Sequence, residues 1–173
     1  MGIKWNEFEH ENKNYKLDHL WPETVTFTVP AKGDLPEKNY RVQIIYSLHC
    51  FTRGMKDTDC ATLKYSDSKE DRTFCFDRYD YSFHLPKIIR ALNEGYVFHT
   101  NHSSYLRLDN NGPNHYEVHF TLSRTKQKEA DLLLRVNSAF ERTKGQTQKA
   151  GKVKFNILLK NTLLNKKTKP YKR

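Results

Sequence analysis

A chain of 173 residues can close one core without disulfide or metal staples, and although only 36% of its residues are hydrophobic, aromatics make up 13% and supply core volume. No apolar run reaches membrane-spanning length and Met1-Gly-Ile-Lys-Trp5 lacks the hydrophobic stretch of a secretory signal, so a cytoplasmic protein with no membrane partner is expected. The formal net charge of +10 is uneven: residues 141 to 173 carry eleven Lys or Arg against Glu141 alone, while residues 1 to 140 balance. So concentrated a cationic segment is the usual footprint of a phosphate-backbone partner, and its plain alternative is a tail that only solubilises.

Residues 1 to 23 scatter Trp5, Phe8, Tyr15, Leu17, Leu20 and Trp21 among charges and read as an arm packed on the body by its aromatics. Thr24 to Val29 alternates and stops at Pro30, and Tyr40 to Leu48 is β-branched and aromatic, so both read as strands. Cys60 to Tyr65 and Arg72 to Phe76 read as short strands joined by the polar loop Ser66 to Asp71. Pro86 to Glu94 predicts a helix, with proline at a first helical position, an apolar face of Ile88, Ile89 and Leu92, and Gly95 as a stop. Tyr96 to Thr100 and Ser104 to Leu108 follow as strands, then a turn over Asp109 to Pro113. Lys152 to Leu159 begins with alternation and reads as a closing strand, and Lys166 to Arg173 as a mobile basic tail after one domain over residues 1 to 165. The fold class expected is α+β, a mainly antiparallel sheet with the helix 86–94 packed on it.

Cys50, Cys60 and Cys75 are an odd number without paired spacing, which argues against a disulfide framework. With His49 they could supply a Cys₃His set, but structural zinc ligands come as close pairs, so reduced, small apolar cysteines on strands are the expectation.

Function is expected in the stretch His115 to Arg142. Tyr116, Val118, Phe120 and Leu122 alternate with His115, Glu117, His119 and Thr121, placing the second four on one face of a strand. After the turn Thr125 to Glu129, period two puts Leu132, Leu134, Val136 and Phe140 on one side and Arg135, Asn137 and Glu141 on the other. Such a hairpin would show acid, base and cation together. An imidazole titrates near neutral pH and a neighbouring carboxylate can orient it, so His115, Glu117, His119 and Arg135 are the candidate catalytic residues. Positions four apart on a strand are about 14 Å apart, which argues against one metal held by both histidines. Arg107, Arg142, Lys144, Lys149, Lys152 and Lys154 are the candidate nucleic-acid contacts, with Tyr96, Tyr105 and Tyr116 as candidate stacking rings. The sequence has no P-loop, dinucleotide fingerprint, HExxH or Gly-x-Ser-x-Gly elbow.

A helix followed by a β-meander with His, Arg and Asn or Ser on its polar face, over residues 84 to 160, resembles the barnase, EndoU and RelE group of small metal-independent ribonucleases, many of them toxins. The resemblance implies His115 or His119 as general base or acid, Arg107, Arg135 and Arg142 as phosphate-stabilising cations, and no cofactor. The first eighty residues have no counterpart in that group. The expectation is therefore a basic, RNA-directed endoribonuclease. The alternatives are a nucleic-acid-binding module without chemistry and a bacterial or phage interaction factor, antitoxin-like, with an acidic protein partner.

Overall fold

The computed structural model describes residues 2–100, 105–109, 115–143, 145, 147 and 149–169. Residues 110–113 of the expected turn over Asp109 to Pro113, Lys144 and residues 170–173 lie outside these, as do the side chains of 108, 109 and 115.

The arm contains a hairpin, β1 (Phe8–His10) and β2 (Lys13–Tyr15), whose turn residues Glu11 and Asn12 both have positive φ. There follow β3 (Glu23–Val29), β4 (Lys38–Tyr46), β5 (Thr52–Arg53), β6 (Lys64–Ser66), β7 (Asp71–Phe74), β8 (Tyr96–His99), β9 (Tyr105–Asp109), β10 (His115–Arg124), β11 (Leu132–Arg142) and β12 (Lys152–Lys154). The helices are α1 (Phe76–Ser82), α2 (Leu85–Arg90), which runs on as a 3-10 turn over Ala91–Glu94, and α3 (Phe155–Leu163).

Seven strands form one sheet in the order β12-β8-β9-β10-β11-β4-β3. Every neighbouring pair is antiparallel except β11 with β4, where Leu132–Val136 runs parallel to Val42–Tyr46. The α+β class with a mainly antiparallel sheet is thus the observed one. Phe155 of α3 meets Phe27 at 5.1 Å and Phe120 at 6.2 Å, so α3 packs on the face that carries Phe120. A second, three-stranded sheet, β5-β7-β6, is tied to the arm by rings: Phe8 stacks on Phe74 at 4.1 Å and Trp5 meets Phe51 edge-on at 5.5 Å. The aromatics of the arm do fix it to the body, and Trp5 Nε1 also donates to the Tyr46 carbonyl at 3.0 Å.

Two local readings change. The expected strand Lys152 to Leu159 stops at Lys154, because Phe155, Leu158 and Leu159 are buried at helical spacing whereas Ile157, which continued the alternation, is exposed. That helix ends in a Schellman turn: Asn165 takes a left-handed φ of 55° at C′, its N–H reaches the Thr162 carbonyl at 3.1 Å, and the Lys166 N–H reaches Asn161 O at 2.8 Å. None of the cysteines lies on a strand. Cys50 closes a 3-10 turn in the core, where burial pushes its thiol up to about 12, Cys60 is exposed beside Thr62, and Cys75 caps α1.

Candidate functional site

The hairpin β10–β11 forms in the expected antiparallel sense, with one irregularity that rearranges its faces. His119 pairs with Ser138 but Phe120 pairs with Val136, so Asn137 is a bulge residue without an opposite number. Beyond it the parity of β11 inverts. Phe140, expected among the apolar residues, stands opposite Glu117; its ring stacks on His119 at 5.6 Å with an interplanar angle of 9°. Glu141, expected on the polar side, pairs with Tyr116 on the other face and accepts a hydrogen bond from the Tyr81 hydroxyl at 2.7 Å.

The expected solvated face is also not solvated at its centre. Glu117 is only 2% exposed. One of its oxygens accepts from Arg142 Nε at 2.7 Å, and the other from Thr147 Oγ1 at 2.6 Å and from His119 Nε2 at 3.1 Å. Burial alone would raise its pKa, but the hydrogen bonds from Arg142, Thr147 and His119 outweigh that and hold the carboxyl below its ordinary range. Glu117 is thus a fixed anion that orients an imidazole and a guanidinium. It is not a group that exchanges a proton near neutral pH.

Arg135 does not join this network. It is exposed and opposite Thr121, two residues along β10 from His119 and four from Glu117. The cation paired with Glu117 is Arg142, expected as a nucleic-acid contact. His115 opens β10 opposite Arg142 in the backbone register. Phe140 is flanked by that same Arg142, 5.4 Å from its centroid, and by a further cation, Arg78 of α1, at 5.2 Å. Arg78 donates to the carbonyls of His49 (3.1 Å) and Thr52 (2.7 Å), and burial lowers its pKa. Neither Arg78 nor Thr147 was legible as a partner of this face, since both arrive through long-range packing.

After β11 the chain returns across the same face. Thr147 bonds Glu117, Lys149 Nζ lies 4.9 Å over the Phe98 ring, and the N–H groups of Ala150 and His99 bond His99 O and Gly151 O at 2.9 Å, which delivers the chain to β12. There Lys152 pairs with Phe98 and Lys154 with Tyr96. Lys152 Nζ sits 4.7 Å and Lys154 Nζ 6.0 Å from the Tyr96 ring, which is 43% exposed. Arg107 crosses beneath and donates to the Tyr96 carbonyl at 3.1 Å; a Cβ on Gly95 would meet that guanidinium and the arginine tip would have to swing aside. Three of the expected nucleic-acid contacts, Lys149, Lys152 and Lys154, therefore converge on two rings, and among the described residues none is paired with a carboxylate. Of the expected stacking rings, Tyr96 is open, Tyr105 half-buried, and Tyr116 buried against Tyr81 at 5.4 Å.

The two groups share a face. Lys152, Phe98, Leu106, His119 and Ser138 are successive partners across five strands, a row in which His119 lies three strand spacings, about 14 Å, from Lys152. The YjaZ family model matches residues 7–163, a span that includes both groups. The chain belongs to the YjaZ family. Protein YjaZ of Escherichia coli (strain K12) is 34% identical over 172 residues, covering 94% of this chain and 93% of that protein. No solved structure matches. Within this YjaZ-family chain the described residues contain no group of three or more His, Cys, Asp or Glu placed to hold a metal ion, and no helix long and apolar enough to cross a membrane.

Proposed function

We propose that the protein binds single-stranded nucleic acid along the β8–β12 edge. The observation that carries this is the set of three lysines, Lys149, Lys152 and Lys154, which among the described residues have no carboxylate partner and lie over the rings of Phe98 and exposed Tyr96. Three ammonium groups along one edge attract a phosphate backbone, and an exposed ring offers a stacking surface to any base, so affinity would come without strong sequence preference. A protein partner with an acidic surface would use the lysines but has no need of the ring. Titration of a labelled single-stranded RNA into the protein and into Tyr96→Ala separates the two: loss of affinity on removing the ring supports nucleic acid, and no loss overturns it.

A second reading, cleavage of RNA without metal, is favoured by one further observation. His119 is oriented by Glu117 through Nε2, lies on the same row as Lys152, and has an Arg142 guanidinium in the same network. Transesterification by the 2′-hydroxyl needs a proton acceptor and donor with a cation at the phosphorane, and Nδ1 of His119, the ring nitrogen that Glu117 does not hold, would serve as one of the two. The resemblance of residues 84 to 160 to the barnase, EndoU and RelE group points the same way, with Arg142 in place of Arg135 as the nearby cation. RNA degradation in EDTA that disappears in His119→Ala is the expected result. Intact RNA with the wild-type protein would leave binding as the function.

A further inference from the structure

A separate cleft of about 540 Å³ opens between the end of β10 and the C-terminal turn of α3. It lies beyond the lysine edge: β8 turns Tyr96 and Phe98 to one face and His99 to the other. One side of the cleft carries the rings of His99 and Tyr105, 5.0 Å apart and edge to face, with Leu122 beside them. Arg124, on the same face of β10 as Leu122, lines it together with Lys166 and Lys167, and the described lining holds no carboxylate. The Schellman turn places the two lysines here, since the Lys166 N–H is tied back to Asn161, and Thr168 Oγ1 in turn accepts from Asn161 Nδ2 at 3.2 Å. At the aromatic end, His99 Nε2 is buried with no hydrogen-bond partner, and burial lowers the pKa of that ring. A buried imidazole nitrogen left unmatched is a hydrogen-bonding group without its counterpart.

We propose that this cleft binds a mononucleotide, with the base at His99 and Tyr105 and the phosphates at Arg124, Lys166 and Lys167. Three cations exceed what one phosphate needs and match a nucleoside diphosphate, and the volume is that of a small-molecule site, well beyond a single oxyanion. The neutral ring nitrogen of His99 meets a polar edge of the base, and the flanking aromatic and Leu122 surface meets its plane.

The test is calorimetric titration of the full chain with ADP, with ribose 5-phosphate as the control that has phosphate but no base. ADP is expected to bind, to bind at least tenfold more tightly than ribose 5-phosphate, and to lose at least tenfold in affinity in the double variant Lys166→Glu, Lys167→Glu. Arg124→Glu is a second variant outside the helix cap, so a folding defect at the C-terminus cannot imitate the loss. No ADP binding by the wild-type protein, equal binding of both ligands, or ADP affinity unchanged in Lys166→Glu, Lys167→Glu and in Arg124→Glu would overturn the proposal.

Discussion

Two groups of charged residues on one sheet face have opposite fates. Around Glu117 the described polar groups are answered within the chain: a buried carboxylate takes hydrogen bonds from Arg142, Thr147 and His119, and Arg78, beside Phe140, donates to two backbone carbonyls. At the β8–β12 edge the charges of Lys149, Lys152 and Lys154 are of one sign, and among the described residues they lie over rings instead of carboxylates. The first arrangement stabilises the fold, because its interactions are complete within the chain. The second is incomplete within the chain, and an anionic polymer would complete it. Charge on alternate strand positions thus says little by itself; what decides the role is whether the counter-charge comes from the same molecule.

The sharpest way to break this comparison is to remove the internal anion. Glu117→Ala removes the buried acceptor shared by a half-buried guanidinium, an imidazole and the Thr147 hydroxyl, and a loss of about 3–5 kcal/mol in denaturant unfolding is expected, as for other broken buried pairs. A loss near the surface value of about 0.5 kcal/mol would mean that the network is as dispensable as a solvated ion pair. Next is Tyr96→Ala, expected to weaken single-stranded RNA binding by about 1–3 kcal/mol, the range for a stacked base, while leaving the unfolding midpoint in place. His119→Ala removes a hydrogen bond to a charged acceptor and the ring stacked on Phe140, and about 1–2 kcal/mol of stability should go with it. Intact stability together with lost RNA cleavage would instead make His119 a catalytic group rather than part of the lock.

The smallest effect is in pH. Because the folded pKa of Glu117 is depressed, its ionised form contributes stability that is fully present above the unfolded value of about 4.3 and lost as pH falls through the lower folded value. Other carboxylates share that direction, among them Asp59, held well below the usual range first by Arg53 and then by Thr73. The stability difference between wild type and Glu117→Gln isolates the one group. It should be constant above about pH 5 and shrink on acidification below about 4.3, and a difference that grows on acidification would reverse the sign of the account.

How much of this was legible depends on the range of the interaction. The periodicity of β10 and of β11 up to Val136 is local and was readable, as were the helix around Ile88, Ile89 and Leu92 and the charge concentration after Glu141. The bulge was not: Asn137 has no glycine or proline to mark it, yet one extra residue exchanges the faces of Phe140 and Glu141 and turns an apparent core phenylalanine into the ring beneath His119. In α3 the alternation of Val153, Phe155 and Ile157 imitated a strand, and only the burial of Phe155, Leu158 and Leu159 distinguishes the helix. Lysines 149, 152 and 154 stood out as charges, but their rings belong to a strand more than fifty residues earlier, and only the pairing of β12 with β8 joins them.

The most direct test of the central claim is the salt dependence of single-stranded RNA binding by the wild-type protein and by the triple variant Lys149→Glu, Lys152→Glu, Lys154→Glu, measured by fluorescence anisotropy. The account predicts binding that weakens with salt in the wild type and a slope of log K against log salt that is shallower in the variant by about 2, at roughly 0.7 per lost phosphate contact, with the fold intact. No binding at low salt, or equal slopes in the two proteins, would contradict it.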